Sequence, residues 1–327
     1  MKPIRRILVA VKDPNARTFP AIDKAAQLAR AFKASIELYH AISEPIYADF
    51  ELTDTSLREL RQQRMDLHLG RLQTITTHHH DTGLRMASHV DWDYPVYEAI
   101  VRRAAAIRAD LIIVECHAGR RLAPWLLHLT DWELLRTSPV PVLLIKTKEP
   151  YDKPIILAAV DPSHLHAKPA KLDDEILGNA SGIARQLSGS LHAMHAYFPV
   201  PLDVAASQML TDSQAERLYT RVETRTRERF ERTVKTARVP RALRHLVSEN
   251  PVVAIPRLAK EIGADLVVMG AISRSGLKRV FIGNTAERVL GALRCDVLVV
   301  KPKRFAARVS RKPRGVRLVA QQLPSVF

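Results

Sequence analysis

Cysteine is almost missing from this chain, and its scarcity excludes several classes of protein at the outset. Among 327 residues, Cys116 and Cys295 are the two cysteines, and they lie far apart. Two isolated thiols build neither a disulfide framework nor a cysteine-based metal site, because both need several closely spaced cysteines. Their small number is typical of a reducing compartment. The fold must therefore be held by an ordinary apolar core.

Long hydrophobic runs are missing too. The first apolar run, Ile7–Val11, ends at Lys12 after five residues, which is too short for the core of a signal peptide. No later run approaches the ~20 residues that a helix needs to cross a bilayer. The sequence therefore predicts a protein without a membrane span, and we expect it in the cytoplasm.

Acidic residues are scarce relative to basic ones: 34 against 50, which gives a net charge of +16. Residues 301–327 contain eight basic residues and no acidic ones, and so carry half of that net charge. We expect residues 304–327 to be a solvated, disordered basic tail. The alternative is an electrostatic arm for nucleic acid or another anionic surface, although Phe305 and Phe327 are the aromatic residues available there to stack on bases.

Apolar runs alternate with helical patterns along the whole chain, and this alternation predicts parallel sheets covered by helices on both faces. In the first half the predicted strands are Ile7–Val11, Ala34–Ile42, Leu84–Val90, Ala109–Glu115 and Pro141–Lys146. In the second half they are Pro154–Val160, Gly189–Tyr197, Leu243–Glu249, Ala264–Gly270 and Asp296–Lys301. Longer helices are predicted between the second and third strands, over residues 54–77 and 205–237.

The two halves repeat each other in register. Asp110-Leu-Ile-Ile-Val returns as Asp265-Leu-Val-Val-Met, and Val142-Leu-Leu-Ile-Lys returns as Val297-Leu-Val-Val-Lys, both 155 positions later. Five strands of the same order and spacing indicate an internal duplication. The polar stretch between the copies places one domain at residues 1–148 and the other at 153–303.

A glycine-containing loop follows the fourth predicted strand of the second half. The strand ends at Gly270, the loop contains Ser273, Arg274 and Gly276, and a helix opens after Gly283. Glycine lets the backbone approach a ligand closely, and a helix N-terminus offers unpaired N–H groups to a phosphate. In open α/β sheets, ligands bind at this carboxyl edge. The alternative is that these glycines serve only as turn and cap residues.

These residues also carry a family resemblance. The run VVMGAISRSGLKRVFIGNTAERVLGALRCDVLVVKP resembles the C-terminal signature of universal stress proteins, and TDWELLRTSPVPVLLIK resembles the degenerate first domain of their tandem, E-type members. Nucleotide-binding members have Gly, two residues, Gly, nine residues, then Gly and Ser or Thr. Gly270 and Gly283 keep that spacing, while Ser273 replaces the middle glycine and Asn284 replaces Ser or Thr.

The resemblance implies two Rossmann-like domains of the adenine nucleotide alpha hydrolase type, each with a five-stranded parallel sheet. It implies that Asp161 lies beside the adenosine part of a nucleotide and that His195 or Ala196 lines the adenine pocket. The ligand would be ATP or another adenine nucleotide, with or without Mg²⁺. The candidate binding residues are Asp161, His195, Ala196, Gly270, Ser273, Arg274, Gly276, Gly283, Asn284 and Thr285.

The first half lacks this pattern. At the position of Gly270 it has Glu115, whose carboxylate repels phosphate, and at the position of Gly283 it has His128. Lys12 or Asp13 stands in place of Asp161, depending on a one-residue gap. We therefore expect the first domain not to bind ATP.

Residues 142–145 and 297–300, the last strand of each half, resemble the edge through which single-domain members dimerise. The resemblance thus implies an internal pseudo-dimer in which these strands pair, with further homodimerisation left open. We expect a regulatory or protective stress-response protein that binds a nucleotide or another small ligand. A weak ATPase or phosphotransferase relying on Asp161, and a nucleic-acid-associated protein using the tail, are the alternatives.

Other clusters give weaker signals. His78-His79-His80 is interpreted as a solvated turn rather than a zinc site, because three consecutive histidines cannot face one ion from regular structure. His192 and His195 should face opposite sides of a strand. Asp131 is predicted in the first turn of a helix. No catalytic residue and no metal site are assigned.

Overall fold

The computed structural model of the chain describes most of the sequence. The described residues are 3–48, 54–80, 83–116, 124–162, 172–197, 212–270, 284–302, 305 and 309–320. The chain forms two compact units and passes from one to the other between Pro150 and Tyr151. We call them the first domain and the second domain.

The first domain alternates strands and helices as its apolar runs predict. Its strands are β1 (Arg6–Ala10), β2 (Ser35–Ile42), β3 (Ile46–Ala48), β4 (Met86–Trp92), β5 (Leu111–Glu115) and β6 (Val142–Ile145). Its helices are α1 (Pro20–Phe32), α2 (Asp54–His80), α3 (Val96–Ala106) and α4 (Pro124–Thr137). The five predicted strands correspond to β1, β2, β4, β5 and β6, and the short strand β3 is an addition.

The second domain repeats the same order of elements. Its strands are β7 (Ile155–Ala159), β8 (Ser190–Ala196), β9 (Arg244–Val247), β10 (Leu266–Gly270) and β11 (Asp296–Val300). Its helices are α5 (Leu172–Gln186), α6 (Asp212–Lys235), α7 (Pro251–Glu261) and α8 (Asn284–Ala292). A last short strand, β12 (Leu318–Ala320), comes after this domain in the chain.

Both sheets are parallel and doubly wound. The strand order is β4-β2-β1-β5-β6 in the first domain and β9-β8-β7-β10-β11 in the second. Each chain segment adds strands first on one side of the central strand and then on the other, so the carboxyl ends of all five strands lie along one edge. The predicted fold class, two tandem five-stranded α/β domains, is confirmed.

Continuous apolar runs form the central strands because helices cover both faces of each sheet. Residues Leu111–Val114 of β5 and Val297–Val300 of β11 are at most 2% exposed. Helices α1 and α5 pack on the neighbouring strands through buried Ala, Leu and Ile side chains. Each fully buried aliphatic side chain contributes ~1.5–3 kcal/mol, so these runs supply most of the stability of each domain.

An aspartate before the fourth core strand fixes the start of the first one in both copies. The carboxylate of Asp110 accepts hydrogen bonds from the backbone N–H groups of Arg5 and Arg6, at 2.9 and 3.2 Å. The carboxylate of Asp265 accepts one from the N–H of Ile155 at 2.8 Å. The repeated aspartate in the sequence therefore reports a repeated structural contact.

The long helices extend differently from the prediction. Helix α2 continues to His80, so His78 and His79 lie in its last turn and the interpretation of a solvated turn was wrong. In this last turn, Nε2 of His79 lies 3.9 Å from the carboxylate of Asp23 in α1. Helix α6 presents a largely exposed charged face, while Phe230 is buried at 1% exposure.

Residues 309–320 of the basic tail belong to the same compact unit as the first domain. Strand β12 pairs in parallel with β3, and the N–H of Ile46 donates to the carbonyl of Arg317 at 2.9 Å. Arg314 forms an ion pair with Glu98. Composition alone missed this docking, because the acidic partners lie more than 200 residues earlier in the chain.

None of the helices in the part of the chain described here is long and apolar enough to span a membrane.

Candidate functional site

The carboxyl edge of the second domain brings two of the predicted site residues together. Met269 of β10 is opposite Ala159 of β7 in the sheet register. Gly270 is therefore next to Val160, and Asp161 follows directly at the same edge. Two residues that are more than 100 positions apart in the sequence thus lie at one point, where the strand order reverses.

Asp161 is positioned by its backbone. Its N–H donates a 3.0 Å hydrogen bond to the carboxylate of Asp173, which lies in the first turn of α5 and is 7% exposed. A carboxylate is stabilised at a helix N-terminus by the dipole and by the unpaired N–H groups there. Asp173 thereby ties the end of β7 to the start of α5, and Asp161 itself remains partly exposed at the edge.

His195 is held beneath this edge. Its Nδ1 lies 3.1 Å from the carbonyl oxygen of Val160, and because a carbonyl only accepts, Nδ1–H donates. The ring is 2% exposed, and its centroid lies 6.3 Å from that of Phe230 in α6. The side chain therefore fixes the residue before Asp161, while Ala196, the last residue of β8, is partly exposed at the strand end.

Gly270 has a packing reason to be glycine. A Cβ atom at this position would lie 2.6 Å from Cδ2 of Leu172, and Leu172 is 1% exposed. Two carbon atoms cannot approach so closely. Glycine at this position therefore lets Leu172 of α5 pack directly on the backbone of β10. The neighbour that approaches Gly270 closely is therefore helix α5.

The rest of the predicted loop lies mostly outside the described residues. Ser273, Arg274, Gly276 and Gly283 fall in that interval, and the description resumes at Asn284. Helix α8 begins at Asn284, directly after Gly283 as predicted, and Thr285 is exposed in its first turn. The carboxyl edge of the second domain thus combines a carboxylate at Asp161 with Gly270 at the end of the adjacent strand.

The register of the first domain shows which residue stands in place of Asp161. Ala10 is opposite Tyr39 in the first copy, as Ala159 is opposite Met194 in the second. Tyr39 and Met194 are 155 positions apart and are therefore equivalent, so their partners Ala10 and Ala159 are equivalent too. Two residues further along each strand, Lys12 corresponds to Asp161. The structure therefore decides between Lys12 and Asp13, which the sequence leaves open.

An ion pair fills the corresponding place in the first domain. Lys12 Nζ lies 2.9 and 3.0 Å from the two carboxylate oxygens of Asp131 in α4, and the Asp131 side chain is 11% exposed. Asp131 lies in the middle of α4, not in its first turn as predicted, because the helix begins at Pro124. The cavity beside Lys12 and Glu115 has a volume of only about 20 Å³, far below the ~300–1,000 Å³ of typical ligand pockets.

A histidine repeats beneath both edges, although the sequence analysis singled out just one of the two. His40 lies 155 positions before His195, and its Nδ1 is 2.8 Å from the carbonyl oxygen of Val11. Burial lowers the pKa of His40, so the ring is neutral and Nδ1–H donates. It stacks on His68 of α2 at 4.8 Å between centroids. The offset of 155 was the signal that could have found it.

The other sequence candidates are structural. His192 and His195 do face opposite sides of β8, and His192 pairs instead with His245 of β9, at 3.0 Å between Nδ1 and Nε2. Burial raises the pKa of the Cys116 thiol, so this cysteine is not an activated nucleophile. Within the described ranges, no group of three or more metal-ligating side chains converges.

A larger open depression of about 590 Å³ lies at the opposite, amino edge of the first domain. Its lining includes Arg6, Ser35, Glu37 and Arg85. Glu37 is already engaged by Arg103 at 2.6 Å, and these residues surround the C-terminal ends of helices rather than their N-termini. This surface is distinct from the ligand edge of the fold.

Comparison with known sequences agrees with the duplication. The family described as "Universal stress protein family" matches residues 3–146 and 155–301. The chain is similar to "Universal stress protein E" of Salmonella typhi, with 27% identity over 92% of this chain and 96% of that protein. It is 26% identical to the protein of the same name from Escherichia coli K12, with the same coverage.

Solved structures resemble the chain over most of its length. A protein of unknown function from Pseudomonas aeruginosa PAO1 aligns with a TM-score of 0.67 and 27% identity, covering 92% of this chain and 93% of that one. A universal stress protein from Archaeoglobus fulgidus aligns with a TM-score of 0.62 and 17% identity, covering 90% and 98%. At 17% identity, the similarity to the Archaeoglobus fulgidus protein concerns the fold alone.

Proposed function

The chain belongs to the universal stress protein family, and from this premise we propose that it is a stress-response protein whose second domain binds an adenine nucleotide. The binding role would be regulatory or protective, without robust turnover of the nucleotide. The ligand would lie at the carboxyl edge of the second domain, and the first domain would not take part in nucleotide binding.

One observation carries the proposal. The register of β7 and β10 puts Asp161 beside Gly270 at the point where the strand order reverses. A partly exposed carboxylate can accept hydrogen bonds from ribose hydroxyls, and a helix N-terminus such as that of α8 can bind phosphate. These residues fit a nucleotide, whereas Lys12, Asp131 and Glu115 at the matching place in the first domain do not.

The described side chains also bear on turnover. A phosphate-transferring site needs a group that positions the attacking water or hydroxyl, together with groups that neutralise the phosphate charge. Asp161 would have to fill the first role, while the Nδ1–H of His195 donates to the Val160 carbonyl. If Mg²⁺ takes part, it would be held chiefly by the phosphates.

Calorimetric titration of the full chain with ATP tests the proposal. We expect saturable heat for the unaltered chain. We expect Asp161→Ala to bind ATP at least about tenfold more weakly, since a hydrogen bond to a charged group contributes about 1.5–3 kcal/mol. Asp152→Ala is the matched control, because Asp152 is an exposed carboxylate of the same domain. It should bind like the unaltered chain.

Two results would overturn the proposal. One is the absence of heat with ATP together with the absence of any nucleotide in native mass spectra of the purified protein. The other is equal affinity of the Asp161→Ala and unaltered chains. Release of inorganic phosphate above background, lost in Asp161→Ala, would show instead that the second domain is an enzyme.

A further inference from the structure

Two nearly buried carboxylates lie side by side where β4 leads into α3 in the first domain. Asp93 is 4% exposed and Glu98 is 8% exposed. Arg102, one turn further along α3, donates to both: its Nε lies 2.8 Å from Asp93, and its Nη1 lies 3.0 Å from Glu98. We call Asp93, Glu98 and Arg102 the acidic notch. Its own charges sum to −1, so it needs a further cation.

The tail supplies that cation. The guanidinium of Arg314 places Nη2 2.7 Å from Oε1 of Glu98 and Nε 3.2 Å from Oε2, a forked contact that lysine could not make. Arg102 Nη1 also lies 3.3 Å from the Ser310 carbonyl. The notch therefore binds the tail through its own arginine as well as through its carboxylates.

The backbone of the tail recognises the second carboxylate. The N–H groups of Arg314 and Gly315 donate to Oδ1 of Asp93 at 2.9 and 3.2 Å. Successive N–H groups converge on one anion when the second residue is left-handed, and Gly315 has φ +73°. This position therefore requires glycine. An Arg-Gly pair matches the two carboxylates of the notch, one through its side chain and the other through its backbone.

The notch belongs to the first copy alone. Helix α3 and helix α7 align with an offset of 155, so Asp93 corresponds to Ser248 and Glu98 to Val253. Arg257, which corresponds to Arg102, pairs with Glu249 and Glu261 on its own domain. The second copy thus has the bracing arginine and lacks the paired carboxylates.

We propose that the acidic notch is a recognition site for an extended basic segment with an Arg-Gly pair, and that residues 309–320 of this chain are its intramolecular occupant. The notch lies at the carboxyl edge, the edge at which folds of this type bind ligands. Docking pairs the half-exposed Arg314 side chain with Glu98 of the notch.

The arrangement predicts which tail residues matter. Arg314 and Gly315 contact the notch, and β12 extends the docking through its pairing with β3. Arg311 is exposed, and within the described part of the chain its side chain makes no ion pair. Arg311 and Arg314 carry the same charge on the same segment, so Arg311→Ala is the matched control for Arg314→Ala.

Limited trypsin digestion of the full-length protein tests the proposal. The bond after Arg317 is the readout, because the carbonyl of Arg317 accepts from Ile46 and must leave it before cleavage. Cleavage by dilute protease follows the population of the undocked tail. We expect Arg314→Ala and Gly315→Ala each to speed this cleavage by about fivefold or more, because the first removes one of the two cations that pair with Glu98 and the second puts a side chain at a left-handed φ. Arg311→Ala should stay within about twofold.

The salt dependence and the concentration dependence complete the test. Raising the salt from 50 to 500 mM should speed cleavage of the unaltered chain and affect Arg314→Ala less, because the lost contact is ionic. Equal rates for Arg314→Ala and Arg311→Ala would overturn recognition by the notch. Protection that appears only at high protein concentration would overturn intramolecular docking and show exchange of tails between chains.

Discussion

The carboxyl edges of the two domains have the same backbone and different chemistry. In both copies a histidine holds the residue at the end of the central strand, through Val11 in the first and Val160 in the second. The next residue is Lys12 in one copy and Asp161 in the other. Lys12 is neutralised by Asp131, while Asp161 is partly exposed beside Gly270.

The two copies therefore share a scaffold and differ in the side chains at its carboxyl edge. Apolar runs and the aspartates before β5 and β10 are retained, because every copy of the fold needs them to hold its sheet. Residues at the carboxyl edge are under no such structural demand: the first copy has the Lys12–Asp131 ion pair there, and a segment of the tail contacts Asp93 at the same edge. Substitutions at single positions test this difference between the two edges.

The chain provides its own domain-specific probes. All three tryptophans, Trp92, Trp125 and Trp132, fall in the first domain, and each domain contains one cysteine, Cys116 or Cys295. Tryptophan fluorescence during urea unfolding therefore follows the first domain. The labelling of each cysteine, measured by mass spectrometry, follows the two domains separately.

The largest effect is expected where the first edge is filled. Asp131→Ala leaves the Lys12 ammonium at 21% exposure without its carboxylate partner, and we expect the first domain to lose about 2–4 kcal/mol of its free energy of unfolding. Tryptophan fluorescence in urea measures the loss. Labelling of Cys295 should not change.

A double variant shows whether the pair itself or the unpaired charge is responsible. Lys12→Met with Asp131→Ala removes both charges, and we expect it to recover most of the loss, because replacing a buried ion pair by apolar residues is often neutral. A double variant no more stable than Asp131→Ala would contradict this explanation of the filled edge.

A smaller effect is expected at Gly270 in the second domain. In Gly270→Ala the new Cβ would lie 2.6 Å from Cδ2 of Leu172, so this buried side chain or α5 itself must move, and we expect a loss of about 1–3 kcal/mol. The labelling of Cys295 in urea reports it. Gly291→Ala is the control: nothing lies within 4 Å of the added Cβ, and alanine should stabilise α8 by about 0.5–1 kcal/mol. If both variants behave alike, the packing argument is wrong.

The sequence predicts the fold well because the relevant signals are local. Runs such as Leu111–Val114 identify a buried parallel strand by themselves, and the offset of 155 between Asp110 and Asp265 identifies the duplication. Helix ends are less certain, since the residues around His79 contain no cap signal strong enough to mark where α2 ends. These predictions depend on neighbours in the chain, which the sequence displays directly.

The filled edge of the first domain could not be predicted in the same way. Lys12 and Asp131 are 119 positions apart, and Arg314 and Glu98 are 216 apart, so no local pattern joins either pair. Composition classified the tail as a disordered basic extension because its partners are two carboxylates within a different element. Pairings of this kind become visible only when the strand register is known.

The smallest effect is expected from His40, beneath the edge of the first domain. Burial lowers its pKa from 6.5, so the folded state binds the proton less tightly than the unfolded state does. The contribution of the neutral His40 ring to the free energy of unfolding is complete above about pH 6.5 and is lost as the pH falls below that value. We expect the first domain to lose about 1 kcal/mol more than a His40→Phe variant between pH 7 and pH 5.5.

Tryptophan fluorescence in urea at the two pH values measures this difference in slope. His40→Phe keeps a ring against His68 but cannot take up a proton, and it also loses the hydrogen bond to the Val11 carbonyl, so its stability at pH 7 should be lower by about 1 kcal/mol. The two effects are separable because only the first depends on pH. Equal slopes for the two chains would show that the histidine beneath this edge does not titrate with unfolding, and that its repetition in both copies serves the hydrogen bond alone.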